Sequence, residues 1–553
     1  MRNGLWKTCT GGFVAAVFCA VTVSQSFGAD AKSLEEMEKE LNALRASVSA
    51  LTDQIESVKL DKTVASSSSA TKKDVETLKN EVSTLKEEMK TAAQAQPALK
   101  AEDIAGNVYS EFAKKIKLGG QIRTRAEYAN GLYQVPVSNG TLPGATGISN
   151  RFSSYDDDYV LNQTRLWADA DVNEHLRLFI QLQDARTFGA EGSTVGYAYS
   201  NTENSIFDLH QGYFDLKKLF DLPLTVRVGR QEIIWGDHRV IGNFVWSNVG
   251  RVFDGGRFMW DTDEIHAEAF AARVDENGFI GKSASGGNWD SNENVYAAQL
   301  GLKKLVPGAL LELMYIQKND QDGSSTNSTL VSTGNVRAHN NPGVVIHDVG
   351  ARIDGKAPDL DAIDYTLEAH GQFGDYGDMT QRAWAFAGRT GYTFKDLGWK
   401  PRFGIEYDYA SGDNDPTDST HKTFDNLYPT NHWQNNYGAI DLISWQNMHD
   451  FRGNVKIQPT NKLTAQVDYH YYLLAEAKDG WYLANGALAT PRGGYDTGSS
   501  NLAQEVDLTV SYQLYKNVGI LGGYSWFNPQ SWMNANVANF DTNWFYLQTT
   551  VTF

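Results

Sequence analysis

Cysteine is almost missing from this chain: of 553 residues, only Cys9 and Cys19 carry a thiol. Both fall in the first 29 residues. Once that segment is removed, no disulfide framework, thiol nucleophile or Cys-ligated metal can be built. Proline is scarce, at 13 residues, and no later stretch reaches about 18 consecutive apolar residues, the length a membrane-spanning helix needs. Positive charge is also short. The formal net charge of −18 becomes −20 without Arg2 and Lys7, which excludes nucleic acid as a partner held through net charge. The chain contains no G-x-S-x-G, H-E-x-x-H or P-loop, and its 11 histidines are scattered singly, so an enzyme is not expected.

What is present points to extended structure between two solvents. Aromatics reach 12 % and glycine 50 residues, in a chain of negative mean hydropathy. Arg2 and Lys7 precede an apolar run and then "SQSFGAD", which reads as a secretory signal peptide over 1–29; a retained anchor or a lipidated Cys19 are the competing readings. From Leu34 the period is helical. Leu34, Met37, Leu41, Leu44, Val48, Leu51, Ile55 and Val58 alternate spacings of three and four, and Val75, Leu78, Val82, Leu85 and Met89 resume them. This predicts an α-helical coiled coil over 30–95, interrupted by a Ser-rich break at 65–71 and followed by a linker over 96–115. Two arrangements are open: a hairpin closing across the Ser-rich break, or a parallel oligomer, preferably a trimer.

From Ile116 the period becomes two. In "IKLGGQIRTRAEY" apolar or small residues fall on one face and Lys117, Gln121, Arg123, Arg125 and Glu127 on the other. "KLTAQVDYHYYL" and "EVDLTVSYQL" repeat the pattern. Such runs of ten to thirteen residues suit tilted strands crossing a bilayer better than the strands of a soluble sandwich. Short turns are expected near 173–175, 217–223, 261–263, 303–307, 356–361, 395–400, 459–462 and 515–517. Long polar loops are expected at 129–162, 187–206, 236–255, 275–293, 318–343, 412–444, 475–501 and 528–542, with one tight connection at 374–380. That alternation predicts an all-β fold: an 18-stranded antiparallel transmembrane β-barrel over 116–553, both ends on the short-turn side. The closing "WFYLQTTVTF" supplies a last strand that must pair with the first to remove both sheet edges.

Strand parity turns Arg123, Arg125, Arg165, Arg177, Arg227, Arg257, Arg352, Arg389, Arg402 and Arg452 inward, where guanidinium groups could pass an anion along the bore. It also turns Glu127, Asp169, Asp171, Glu268, Asp364, Glu368, Glu406, Asp408, Asp468 and Asp507 inward. A charge-paired wall is therefore the competing reading. Asp413, Asp415 and Asp418 in "SGDNDPTD" offer hard oxygen ligands for Ca²⁺ in an outer loop, or solvated loop charge. No other cofactor is expected.

At "LHQGYFDLKKLFDLPLTVRVGRQEIIWGDHRVIGNFVWSNVGRVFDGGRF" the chain resembles the alginate-export family of outer-membrane barrels. The matching positions are Gly229, Arg230, Gln231, Glu232, Gly236, Asp237, Arg239, Trp246, Asn248, Arg251, Phe253, Asp254 and Gly255. A second match runs through Tyr407, Asp408, Tyr409, Ser411, Gly412, Asp413, Phe424, Asp425, Leu427, Pro429 and His432, and "DLISWQN" follows at Asp441 to Asn447. The resemblance implies eighteen strands, loops folded into the bore and an electropositive constriction. It makes Arg230, Asp237, Arg239, Arg251 and Asp254 pore residues. It also implies passive passage or export of an anionic saccharide or small anion across the bacterial outer membrane. The heptads depart from the family's type members and resemble the periplasmic N-terminal arms of some trimeric phosphate-type porins. They add self-association or peptidoglycan contact as partner expectations beside membrane lipid, and a structural tether, or a general porin, as the alternative function.

Overall fold

The computed structural model describes residues 113–134, 153–189, 205–276, 293–320, 343–358, 360–484, 486 and 498–553. The expected signal peptide, coiled coil and nearly all of the linker lie outside these residues. From Lys114 onward the chain forms one compact unit.

Its strands are β1 (Ile116–Gln134), β2 (Ser153–Asp171), β3 (Leu176–Phe188), β4 (Ser205–Leu216), β5 (Leu224–Gln231), β6 (Arg251–Asp261), β7 (Ile265–Glu276), β8 (Glu293–Val306), β9 (Ala309–Asp320), β10 (Val344–Ala357), β11 (Leu360–Tyr376), β12 (Met379–Thr393), β13 (Arg402–Ala410), β14 (Thr420–His421), β15 (Met448–Thr460), β16 (Leu463–Leu474), β17 (Asn501–Tyr515), β18 (Val518–Pro529) and β19 (Thr542–Thr552). Eighteen of them pair antiparallel with their chain neighbours in one ring. The two-residue β14 is a side branch, lying parallel to the start of β12.

The ring closes between β1 and β19, in register from Gln121 opposite Thr552 to Asn130 opposite Asn543. Terminal Phe553 exchanges two backbone hydrogen bonds with Gly120, at 2.9 and 3.0 Å. A side chain at position 120 would meet the Phe553 ring at 2.3 Å, so glycine makes room for the final aromatic. Closure leaves no free sheet edge among these strands, the one solution by which strands satisfy their backbone in lipid.

The expected short turns fall where the spacing placed them, and so does the tight connection between β11 and β12. The strands are more unequal than their pattern implied. β1 and β2 reach 19 residues, carried past a bulge between Ala129 and Leu132, whereas β5 has only eight. Outward residues such as Leu118, Phe258, Ile405, Leu547 and Phe553 are exposed and apolar, while inward neighbours are polar or charged. The upper end is filled from within by loops. Phe424, Tyr437, Leu442, Trp445 and Trp481 are fully covered there against Tyr133 and Phe527 of the wall.

Candidate functional site

The residues after β5 do not stay at the rim. Segment 232–250 enters the bore and crosses it as a strap. Its second half lies against β1–β3, where consecutive carbonyls are taken by wall side chains. Arg123 donates to Val245 O at 2.7 Å and Ser247 O at 2.8 Å. Arg125 donates to Trp246 O at 2.9 Å and Gln163 to Asn248 O at 2.5 Å. Gln183 and Arg165 both donate to Val249 O, at 2.9 and 3.3 Å. The Arg125 guanidinium also lies 3.9 Å over the Trp246 ring, a cation–π contact strengthened by exclusion of water. Trp246 in turn stacks on His432 at 4.1 Å.

The first half of the strap reaches the far wall. Asp237 binds Arg352 of β10 and Arg389 of β12, each at 2.8 Å. Arg239 donates to Tyr437 and to Glu406 of β13, with Asp408 at 3.4 Å. Trp235 donates to Glu268 of β7. β1 and β10 are nine strand steps apart in either direction round the ring, so the strap spans the full diameter. Gly236 permits the approach: its φ is +47°, and a Cβ there would sit 2.8 Å from Arg352 Cδ, a combination L side chains rarely tolerate.

A second in-folded loop, 411–447, braces the strap from above. Tyr428 N donates to Val240 O at 2.9 Å, Gly242 N to Tyr428 O at 2.7 Å and Thr430 N to His238 O at 2.8 Å. Arg251 closes the seam by donating to Pro429 O at 2.9 Å. Glu505 of β17 accepts the Ala439 and Ile440 amides at 2.8 and 3.0 Å. Around Arg239 the charges interlock: Arg452 binds Glu406 at 2.8 Å and Asp468 at 2.5 Å, and Arg352 binds Glu312 at 2.5 Å.

The thirteen residues expected along the pore therefore separate into four settings. Arg123, Arg125, Arg165 and Arg251 hold loop backbone. Asp237, Arg239, Arg352, Arg389 and Arg452 form the buried ion-pair knot at the far wall. Arg227 and Arg402 line the short-turn half, together with Arg177. Arg227 holds Asp215 at 2.7 and 3.0 Å, and Arg402 holds Asp364 at 2.9 and 2.5 Å. Arg177 holds Asp169 at 2.7 and 3.0 Å. Arg230 and Asp254 are a correction: they pair with each other at 2.7 Å on the outward face, in the same alternating files as exposed Val228 and Phe258. A family motif does not carry parity, and their strands turn these two positions away from the bore.

Asp413, Asp415 and Asp418 are engaged in local turns. Asp413 accepts from Asp415 N at 3.1 Å, Asp415 from Thr417 N at 3.2 Å, and Asp418 pairs with Lys422 at 3.1 Å. Among the described residues no group of three or more His, Cys, Asp or Glu is arranged to hold a metal ion. Sequence reasoning missed Gln163, Gln183, Glu312 and Glu505. Their inward parity was legible, but binding a loop carbonyl or amide leaves no mark in spacing.

The strap carries its own acid sensitivity. Burial lowers the pKa of His238 from its ordinary 6.5 to about 4, against the opposing charges of Asp237 and Glu232. Burial would raise the Glu232 pKa, but His210, Arg165 and Asn243 overcome it and hold the carboxyl at about 2. A histidine kept neutral in the folded strap stabilises it above pH 6.5, and that stability is lost as pH falls toward 4. Glu232 adds stability above pH 4.5 that fades toward pH 2. Conductance measured from pH 7 down to 4.5 should therefore rise as the strap loosens. His238→Gln should flatten the rise, and a wild-type conductance unchanged to pH 4.5 would refute the assignment.

A family model described as "Alginate export" matches residues 148–541. No curated protein matches in a sequence search. Among solved structures, Pseudomonas aeruginosa OccK9 (OpdG) is similar at 12 % identity and a TM-score of 0.50, covering 79 % of this chain and 99 % of its own. Pseudomonas aeruginosa OccK3 (OpdO) has 12 % identity and a TM-score of 0.49, covering 81 % and 99 %. Acinetobacter baumannii OccAB2 gives 12 % and 0.49, covering 79 % and 98 %. At such identity the OccK9 likeness speaks to the barrel fold alone. The family match spans most of the described barrel, strap and bracing loop included, and the chain belongs to the alginate export family, as an outer-membrane β-barrel.

Proposed function

We propose that this channel passes acidic saccharides or other small organic anions down their gradient, by exchange of carboxylate partners on bore arginines. The observation that carries the reading is the geometry in the short-turn half. Arg177, Arg227 and Arg402 each hold an Asp carboxylate through two N–H donors, with side chains 16–24 % exposed. A uronate offers the same planar pair of acceptors. Trading one carboxylate for another keeps the number of ion pairs constant, so a solute is held weakly enough to leave again.

A second reading, passage of cations or neutral solutes, is favoured by the wall opposite β1. Among the described residues of β10–β17, eight inward carboxylates are buried, among them Asp348, Glu406, Asp408 and Asp507, against the arginines Arg352 and Arg452. That surplus disfavours anions at the knot, where the strap contributes Arg239. The tethering alternative rests on the heptads, which lie outside the described residues.

Planar-bilayer recordings separate the readings. The anion reading expects a reversal potential shifted toward chloride in a KCl gradient and block by glucuronate that weakens several-fold in Arg402→Ala. A pore that prefers potassium and ignores glucuronate sinks it and leaves the second reading standing.

A further inference from the structure

We infer that the outer wall of β3–β7 is an interface with a second copy of this chain rather than a lipid-facing surface. The inference is independent of what the pore carries. It starts from charges in the wrong place. On β3, Asp184 and Arg186 alternate with fully buried, inward Gln183 and Ala185, so both point outward, paired at 2.6 Å with side chains 36 % and 47 % exposed. On β5 and β6, outward Arg230 holds Asp254 at 2.7 Å, with Asp208 of β4 3.8 Å away. Arg273 of β7 sits directly across from Asp254 in the ladder.

The height of the wall makes this unsuitable for lipid. Outward apolar positions on β5 run only from Leu224 through Val226 to Val228 before Arg230. At ~3.3 Å per residue and a tilt of ~40°, that apolar file is ~10 Å tall against the ~25 Å band a transmembrane barrel presents. On β11 the outward file runs from Ile363 to Phe373, ~25 Å by the same arithmetic. β11 thus matches a bilayer, whereas β5 is too low, and the outward positions of β3, β5, β6 and β7 beside it carry charge. Hydrocarbon cannot solvate paired Arg and Asp side chains, whereas another protein surface bearing both signs can.

Why the partner is this chain follows from two features. The patch carries both signs within a few residues, so it can complement a copy of itself. In the oligomeric of the two arrangements open to them, the heptads beginning at Leu34, far from the barrel in sequence, join copies of this chain as well. Arg186, Arg230 and Arg273 of one copy would face Asp184, Asp208 and Asp254 of the next, flanked by exposed Phe207, Leu209 and Phe258.

The test uses single cysteines, since the chain's only thiols are Cys9 and Cys19 at its extreme N-terminus. Gly256, outward on β6, and Gly371, outward on β11, both have open space where a Cβ would go. Gly256→Cys and Gly371→Cys are made in the full-length chain with both N-terminal cysteines changed to serine. Outer-membrane fragments are treated with a short bis-maleimide, folding is verified by the heat-dependent gel shift, and mass in mild detergent is measured by light scattering. The expected result is a covalent dimer from Gly256→Cys in several-fold higher yield than from Gly371→Cys, with an oligomeric mass. Equal yields, cross-linking from Gly371→Cys alone, no cross-linking from either, or a monomeric mass would each overturn the interface.

Discussion

Arg123→Ala combined with Arg125→Ala is expected to raise single-channel conductance several-fold while leaving the barrel folded. The two arginines supply three charge-assisted hydrogen bonds to the strap carbonyls of Val245, Trp246 and Ser247, besides the cation–π contact under Trp246. At about 1.5–3 kcal/mol per hydrogen bond to a charged group, the double variant removes on the order of 5 kcal/mol from strap docking. Since about 1.4 kcal/mol is a factor of ten in a population, a strap now closed nearly always would be displaced a measurable share of the time. An 18-stranded ring is wide enough to enclose an aqueous channel, and displacing the strap clears the part of the bore it crosses, hence the large change in current. Glu127 loses its ion pair with Arg125 but keeps two hydrogen-bond donors, Tyr159 and Trp544, each at 2.9 Å. Limited proteolysis should cut within 232–250 in the variant alone. Unchanged conductance together with unchanged proteolysis would show that these arginines do not hold the strap.

The second large effect concerns the other end of the strap. Arg239→Ala should lower the temperature of the heat-dependent gel shift and move the reversal potential toward cations. Arg239 is 2 % exposed and lies between Glu406, Asp408 and Glu368. Removing it leaves carboxylates buried with less compensation, a loss of about 3–5 kcal/mol when one partner of a buried ion pair is deleted. Arg452 continues to hold Glu406 at 2.8 Å, so the barrel itself should still assemble. Arg239→Lys should rescue little, because one ammonium cannot serve acceptors placed around a planar fork. If Arg239→Ala melts and conducts like the parent chain, the knot contributes nothing to the constriction.

The two variants also separate the roles that the arginines share in sequence. Parity alone puts Arg123, Arg227 and Arg452 in one class, all inward on strands. In the folded chain the first grips a loop, the second holds Asp215 within reach of water, and the third is sealed in a knot of charges. Their difference comes from which loop has entered the bore above them. Loops write no periodicity: the resemblance implies loops folded into the bore, and nothing in the spacing of 236–255 places Asp237 and Val245 against opposite walls.

Local patterning by itself determined the strand rhythm, the alternation of short turns with long loops, the count of eighteen and the closure on Phe553. The physical reason is that a strand between lipid and water must declare its two faces in every second residue. Only the tertiary structure decided that segment 232–250 crosses the diameter, that Arg230 and Asp254 face out, and that most bore arginines already hold a carboxylate or a carbonyl. Those outcomes depend on which groups meet across the ring, from residues a hundred or more positions apart, where no local period reaches.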